Sequence, residues 1–279
     1  ISDCEFIFSQ ILFFLLRINE SMRKKLGQHF LKNKKWASLV ASQISDFKTI
    51  VEIGPGMGAL TEKIVEVASA DTEIVAIERD SKFITPLKEK FSSVKIIEGD
   101  VLKILPELMD VQKGQYALVG NIPYYLTGFL LREVGDSRNR PSRCIFMIQR
   151  EVAERICAAE GEMNRLSSSV QIWGKPKILG FVPRGDFSPP PEVESAIIEI
   201  NCEENNRQTD LSSVFKAIRT IFAQPRKTLL NNLSTIVDIP KTELSKKIEG
   251  LGFPKNFRPQ DITVKQIFLL AEKFTSSFK

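Results

Sequence analysis

Asn121-Ile122-Pro123-Tyr124 follows an apolar run over residues 116–122 and joins an amide, a rigid backbone position and a flat phenol ring. The Asn121 side-chain oxygen and a main-chain carbonyl, most simply that of Ile122, can accept the two hydrogens of an exocyclic amine such as N6 of adenine. Held that way the nitrogen is pyramidal, and a lone pair otherwise delocalised into the ring becomes nucleophilic without a strong general base. Pro123 fixes the backbone, and Tyr124 offers a face on which a base can stack. A plain strand-to-turn exit uses the same residue types, since Asn and Pro are common in turns. Further on, Phe187-Ser188-Pro189-Pro190-Pro191 is either a stiff connector or the carrier of a second aromatic wall, Phe187, around a base splayed out of its stack.

Upstream, Gly54-Pro55-Gly56-Met57-Gly58-Ala59 lies between a strand pattern and a helix pattern. Glycines there let the backbone turn tightly and approach a nucleotide, while the helix N-terminus presents unpaired N–H groups. The string also satisfies G-x-G-x-x-A for a dinucleotide, and a purely structural turn remains open. Glu78, 24 residues after Gly54, can accept both ribose hydroxyls of a nucleoside, and Asp100 can accept an adenine amino group. Together these residues predict a nucleoside cofactor, and the Asn121 strip points to methyl transfer over hydride transfer.

Other chemistries are excluded by residue content. His29 is the only histidine, which removes histidine triads and multi-histidine metal sites. Four cysteines, Cys4, Cys144, Cys157 and Cys202, lie far apart without a C-x-x-C pair, so no zinc site or disulfide framework is expected and a reducing cytoplasm fits. With 43% hydrophobic and 26% charged residues, the 279-residue chain has a globular composition. The net charge of +5 is unevenly spread: residues 207–279 carry thirteen Lys/Arg against six Asp/Glu. Residues 22–35 hold Arg23, Lys24, Lys25, Lys32, Lys34 and Lys35 and no acid. Two basic patches therefore flank an acidic middle, read either as solvated surface or as a footprint for a polyanion.

The elements that must position these groups alternate from Thr49 onward. Strand patterns cover 49–54, 73–79, 94–100, 116–122, 143–149, 177–182 and 194–200, with helices over 58–68, 81–91 and 151–159. Ser81 is the expected cap of the second helix. This order predicts an α/β fold, one doubly wound sheet of seven strands, parallel and covered by helices on both faces. Residues 201–208 are polar and aperiodic and read as a linker. Helical patterns at 211–223, 227–233, 241–251 and 264–274 then form a smaller C-terminal helical domain over 209–279. At the other end, the apolar run 6–16 is too short for a membrane span of about 20 residues, and Asp3 and Glu5 stand where a signal peptide would be basic. Met22 is the expected start of the catalytic domain, 22–200, with 1–21 as an extension.

These residues resemble the KsgA-type ribosomal RNA adenine dimethyltransferases. The resemblance rests on Leu26-Gly27-Gln28-His29-Phe30-Leu31, Val51-Glu52-Ile53-Gly54-Pro55-Gly56, the Asn121 strip, Gln149-Arg150-Glu151-Val152, residues 187–191 with Val193-Glu194-Ser195-Ala196, and Arg226-Lys227-Thr228-Leu229. These run in family order over about residues 23–275. The resemblance implies a Rossmann-like methyltransferase sheet, S-adenosylmethionine as methyl donor, and no metal. Cofactor contacts are implied at His29 and Leu31, beside Gly54, Gly56, Glu78, Asp100 and Asn121. At His29 relatives commonly carry asparagine. The implied catalytic groups are Asn121, Ile122, Pro123, Tyr124 and Phe187. The implied substrate is a pair of neighbouring adenines in the 3′-terminal hairpin of small-subunit (16S) rRNA, met in a partly assembled 30S particle by a cytoplasmic monomer. Three rivals remain: an erythromycin-resistance enzyme acting on large-subunit rRNA, a non-catalytic nucleic-acid-binding factor on the same scaffold, and a dehydrogenase. The Gly27-Gln28 pair and the Arg226-to-Asn232 stretch look closer to the small-subunit enzymes, an intact Gly54, Glu78, Asp100 and Asn121 argues against lost cofactor binding, and the strip would have no purpose in a dehydrogenase.

Overall fold

The computed structural model describes residues 28–112, 115–202 and 211–274. The extension 1–21, Met22, the basic residues Arg23, Lys24 and Lys25, the Leu26-Gly27 pair and residues 203–208 of the expected linker lie outside the described residues.

In chain order the strands are β1 (Phe30–Leu31), β2 (Thr49–Ile53), β3 (Glu73–Glu78), β4 (Val94–Glu98), β5 (Ala117–Asn121), β6 (Arg143–Gln149), β7 (Gly174–Val182), β8 (Phe187–Ser188) and β9 (Ser195–Cys202). Seven of them form one sheet in the order β4-β3-β2-β5-β6-β9-β7. The strands β2 to β6 are parallel, but β9 runs antiparallel to both β6 and β7. The expectation of an all-parallel sheet is thereby corrected. The segment between β7 and β9 carries Pro183, Pro189, Pro190 and Pro191 and folds into a single helical turn and β8, leaving no crossover helix, so these two strands pair antiparallel. The last strand also runs two residues beyond its expected end, to Cys202.

Alternate residues of the central strands serve two cores. Val51, Ile53, Val75, Ile77, Leu118 and Phe146 face one side, and Ile50, Ile74, Ala76, Val119, Ile145 and Met147 the other. Both faces need cover, so near-continuous apolar strands are the expected pattern. Helices α1 (Lys34–Ser42), α2 (Ala59–Val67) and α3 (Ser81–Lys90) close the second core through Val40, Ile64 and Leu87. Helices α4 (Val101–Gln112), α5 (Thr127–Asp136), α6 (Arg150–Ile156) and α7 (Arg165–Gln171) close the first through Leu105, Leu130, Ala153 and Val170. The C-terminal helices α8 (Ser212–Ile221), α9 (Leu229–Leu233), α10 (Lys241–Gly250) and α11 (Val264–Lys273) continue that same core with Ile218, Leu233, Leu244 and Ile267.

Caps mark several helix starts. Asp80, not Ser81, caps α3 by accepting from the Lys82 N–H, while Asn164 and Thr263 build reciprocal capping boxes for α7 and α11. Cys144 and Cys202 are buried, free thiols on neighbouring strands, and burial pushes the Cys144 thiol well above its ordinary value. Among the described residues no cluster of metal-binding side chains exists, and no helix is long and apolar enough to cross a membrane.

The segment ahead of β2 is an arm laid across the end of the sheet. Its β1 pairs antiparallel with β8, Phe30 opposite Ser188 and Leu31 opposite Phe187. The Lys32 N–H donates to the Asp186 carbonyl at 2.8 Å. Trp36 in α1 donates its indole N–H to Asp186 Oδ2 at 2.6 Å.

Candidate active site

A cleft of about 490 Å³ opens where β2, β3, β4 and β5 end, roofed by the arm. Its size is that of a small-molecule site, and its place is the carboxyl edge of an open α/β sheet. All eleven residues predicted to form the site line it: His29, Leu31, Gly54, Gly56, Glu78, Asp100, Asn121, Ile122, Pro123, Tyr124 and Phe187.

The loop after β2 carries positive φ at Gly54 (65°) and Gly56 (54°), a conformation costly for any residue with a Cβ. At Gly54 an added Cβ would meet nothing within 4 Å, so the bare backbone faces open space. At Gly56 it would lie 3.0 Å from the Phe30 ring of the arm, so this glycine also admits the roof. Glu78, buried at the end of β3, accepts the Gly56 N–H on Oε2 at 2.9 Å and the Asp80 N–H on Oε1 at 2.8 Å. These two bonds fix the plane of its carboxylate and leave each oxygen further acceptor capacity. Asp100 accepts the Leu102 N–H at the start of α4 and lies 4.0 Å from Arg79, while still lining the cleft.

In the other half of the cleft, Asn121 ends β5 and donates Nδ2–H to the main-chain carbonyl of His29 at 2.8 Å. A carbonyl can only accept, so the amide must face it with nitrogen, and Oδ1 is the atom left to accept. Tyr124, on the turn that follows, is half-buried, and its ring lies 6.0 Å from the His29 ring at 34°. Its hydroxyl meets Ser195 Oγ at 2.9 Å, and burial raises its pKa. His29 donates Nδ1–H to the Pro189 carbonyl at 2.9 Å. Its ring is thus tied to the proline loop while its backbone serves Asn121. Phe187 is fully buried beside β1, packed in the core that also holds Val182 and Ile197.

Sequence reasoning missed the roles of four contributors. Glu52, inside β2, is 1% exposed, accepts from Thr61 Oγ1 at 2.7 Å, and lines the cleft floor. Burial pushes its pKa up to about 8, the Thr61 hydrogen bond opposes this, and the Glu78 charge adds to it. Its sequence signals were a carboxylate inside an otherwise apolar strand and its place in the segment 51–56 that carries the family resemblance. Ser195 lies in a segment that carries the family resemblance, but its bond to Tyr124 was not legible, since the two lie 71 positions apart. Tyr125 and Phe129 stand exposed at the cleft mouth, beside Met57.

The family model for ribosomal RNA adenine dimethylase matches residues 19–275. A relative from Dehalococcoides mccartyi, ribosomal RNA small subunit methyltransferase A, is 37% identical over 88% of this chain and 85% of its own. Its namesake from Fusobacterium nucleatum is 31% identical over 90% of this chain and 97% of its own. Among solved structures, a dimethyladenosine transferase from Plasmodium falciparum superposes with a TM-score of 0.76 at 24% identity, covering 89% of this chain and 98% of that one. The 23S rRNA methyltransferase ErmE follows at 0.67 and 19% identity, covering 88% and 99%. Both likenesses bear on the fold, which is the Rossmann-like methyltransferase fold with a helical C-terminal region. With its family model spanning the glycine loop, the Asn121 strip and the C-terminal helices alike, the chain belongs to the ribosomal RNA adenine dimethylase family.

Proposed function

We propose that the protein transfers methyl groups from S-adenosylmethionine to N6 of two adjacent adenosines in the 3′-terminal hairpin of small-subunit (16S) rRNA, giving N6-dimethyladenosine and S-adenosylhomocysteine, with one amine proton released to solvent at each transfer. The observation that carries the reading is the single cleft joining a bare glycine backbone at Gly54 to an amide at Asn121 whose oxygen is left to accept. The residues fit the cofactor: open backbone at Gly54, a braced carboxylate at Glu78 for ribose hydroxyls, and Asp100 for the adenine amino group. When bound, S-adenosylmethionine supplies an electrophilic sulfonium methyl.

The chain's own residues do the rest. Asn121 Oδ1 and the Ile122 carbonyl accept the amine hydrogens and hold the lone pair toward the methyl, so alignment supplies most of the acceleration. Tyr124 carries the base on its face. Phe187 backs the arm at Leu31, its opposite residue in the β1–β8 pair. For the second transfer only one amine hydrogen remains, and a single acceptor suffices. The names of the relatives at 31–37% identity support the small subunit over the large one. Basic residues on both sides of the acidic middle fit phosphate contacts on rRNA in a partly assembled 30S particle, bound by a cytoplasmic monomer.

Incubation with methyl-labelled cofactor and separated 30S and 50S particles from an unmethylated strain tests the reading. Label is expected in small-subunit adenines. Label in the large subunit alone transfers the assignment to the resistance-type activity, and label in neither overturns methyl transfer.

A further inference from the structure

The arm is tied to the acceptor half of the cleft more specifically than a roof needs to be. The His29 carbonyl takes the Asn121 Nδ2–H at 2.8 Å, and this contact leaves Oδ1 as the acceptor. The proline loop grips the arm on both sides of that carbonyl. Ahead of β1, His29 Nδ1–H donates to the Pro189 carbonyl at 2.9 Å. Behind it, the Lys32 N–H donates to the Asp186 carbonyl at 2.8 Å, and the Trp36 indole N–H donates to Asp186 Oδ2 at 2.6 Å. Trp36 itself lies over bare backbone of β7, where a Cβ on Gly180 would come within 3.0 Å of its ring.

We infer that Trp36 and Asp186 are positioning residues for methyl transfer, acting through the His29 main-chain carbonyl on the orientation of the Asn121 amide. The inference rests on the proposed role of Asn121 as the acceptor of the amine hydrogens. An amide free to rotate by half a turn would present NH2 to the amine, a donor against a donor, and the nitrogen would not be held pyramidal. A carbonyl fixed beside it removes that rotamer. The carbonyl belongs to His29, directly ahead of a two-residue strand that cannot hold its own position. It is held because one loop, residues 186–189, bonds the arm at His29, at β1 and at Trp36. The latch and the amide are thus two ends of one connection, and the latch lines no part of the cleft.

The test compares Trp36→Phe, Asp186→Ala and Asp186→Asn with the unaltered chain, on unmethylated small subunits. Trp36→Phe removes the indole donor and keeps an aromatic ring on Gly180. Asp186→Asn keeps an oxygen to accept it. Turnover is expected to fall on the order of tenfold in Trp36→Phe and Asp186→Ala and to return in Asp186→Asn, with KM for RNA and calorimetric affinity for S-adenosylhomocysteine little changed. The Asn121 side-chain amide signals in a 15N NMR spectrum are expected to shift in the first two variants and not in the third. Unchanged turnover in Trp36→Phe and Asp186→Ala overturns the inference. So does a turnover loss with unshifted Asn121 signals, or one matched by an equal loss of cofactor affinity. Absence of label with the unaltered chain overturns instead the proposed function, so the two failures are distinct.

Discussion

Tyr124 and Ser195 share a hydrogen bond of 2.9 Å across 71 positions of sequence, linking the turn after β5 to the first residue of β9. Ser195 is 1% exposed, so the phenol is held from inside the sheet while its ring borders the cleft. The antiparallel insertion of β9 beside β6 makes this contact, because only that reversed direction brings its N-terminal end to the edge where β5 ends.

Tyr124→Phe keeps the stacking face and is expected to reduce kcat/KM by only a few-fold. Tyr124→Ala removes the face, and base–aromatic stacking of about 1–3 kcal/mol predicts a loss of about five- to 150-fold. Ser195→Ala leaves the phenol without its partner at a cost of about 1 kcal/mol, read as a small fall in melting temperature and a raised KM for RNA. Equal activity of Tyr124→Ala and the unaltered chain would remove Tyr124 from the site.

Glu52 gives the cofactor-free protein a pH dependence of definite sign. Its folded carboxyl holds a proton up to about pH 8, while the unfolded carboxyl releases it near 4.5. Folding therefore takes up a proton between these values, and stability from this group declines as pH rises from about 4.5 to about 8, then levels. The melting temperature is expected to drop over that window. Glu52→Gln, always neutral and still able to accept from Thr61, should flatten the drop and melt higher at pH 8. A variant with the same pH profile as the unaltered chain would contradict the raised pKa.

Gly56→Ala is expected to weaken cofactor binding more than tenfold, read by calorimetry with S-adenosylhomocysteine. The methyl group meets the Phe30 ring at 3.0 Å while φ is 54°, and the left-handed conformation alone costs about 1–2 kcal/mol. Either the loop distorts or the roof lifts. Unaltered affinity would show that neither matters to the cofactor.

Asn121 separates acceptance from orientation. Asn121→Ala should lose at least a hundredfold in turnover, in line with the removal of one transition-state hydrogen-bonding group, while retaining most cofactor affinity. Asn121→Asp keeps an acceptor but sets a charged oxygen 2.8 Å from the His29 carbonyl, where a donor stood. It is expected to lose turnover as well and, unlike Asn121→Ala, to expose the arm to limited proteolysis. Proteolysis patterns identical in both variants would speak against the His29 contact.

The sequence by itself determined where the Asn-Ile-Pro-Tyr strip, the glycine loop and the acidic strand ends stand, because each is a local run whose chemistry depends on neighbours within a few residues. It determined the seven strands of the main sheet for the same reason, since short apolar runs bounded by turns declare themselves, while the two-residue strands β1 and β8 left no such run. Helices α4 and α5 were not read from sequence; Pro106 lies inside the one and Gly128 and Gly135 inside the other, although Pro86 inside α3 did not hide that helix. Tertiary packing overrides those local penalties, and Gly135 is needed there, since a Cβ would sit 2.9 Å from Trp173 Nε1 and from the Phe215 ring. Tertiary structure alone decided the reversed direction of β9, the Ser195 partner of Tyr124, the raised pKa of Glu52 and the turn of the Asn121 amide. Each depends on groups brought together by folding: Asn121 and His29 are 92 positions apart, and no local pattern in either records that the carbonyl of one decides which atom of the other is left to accept.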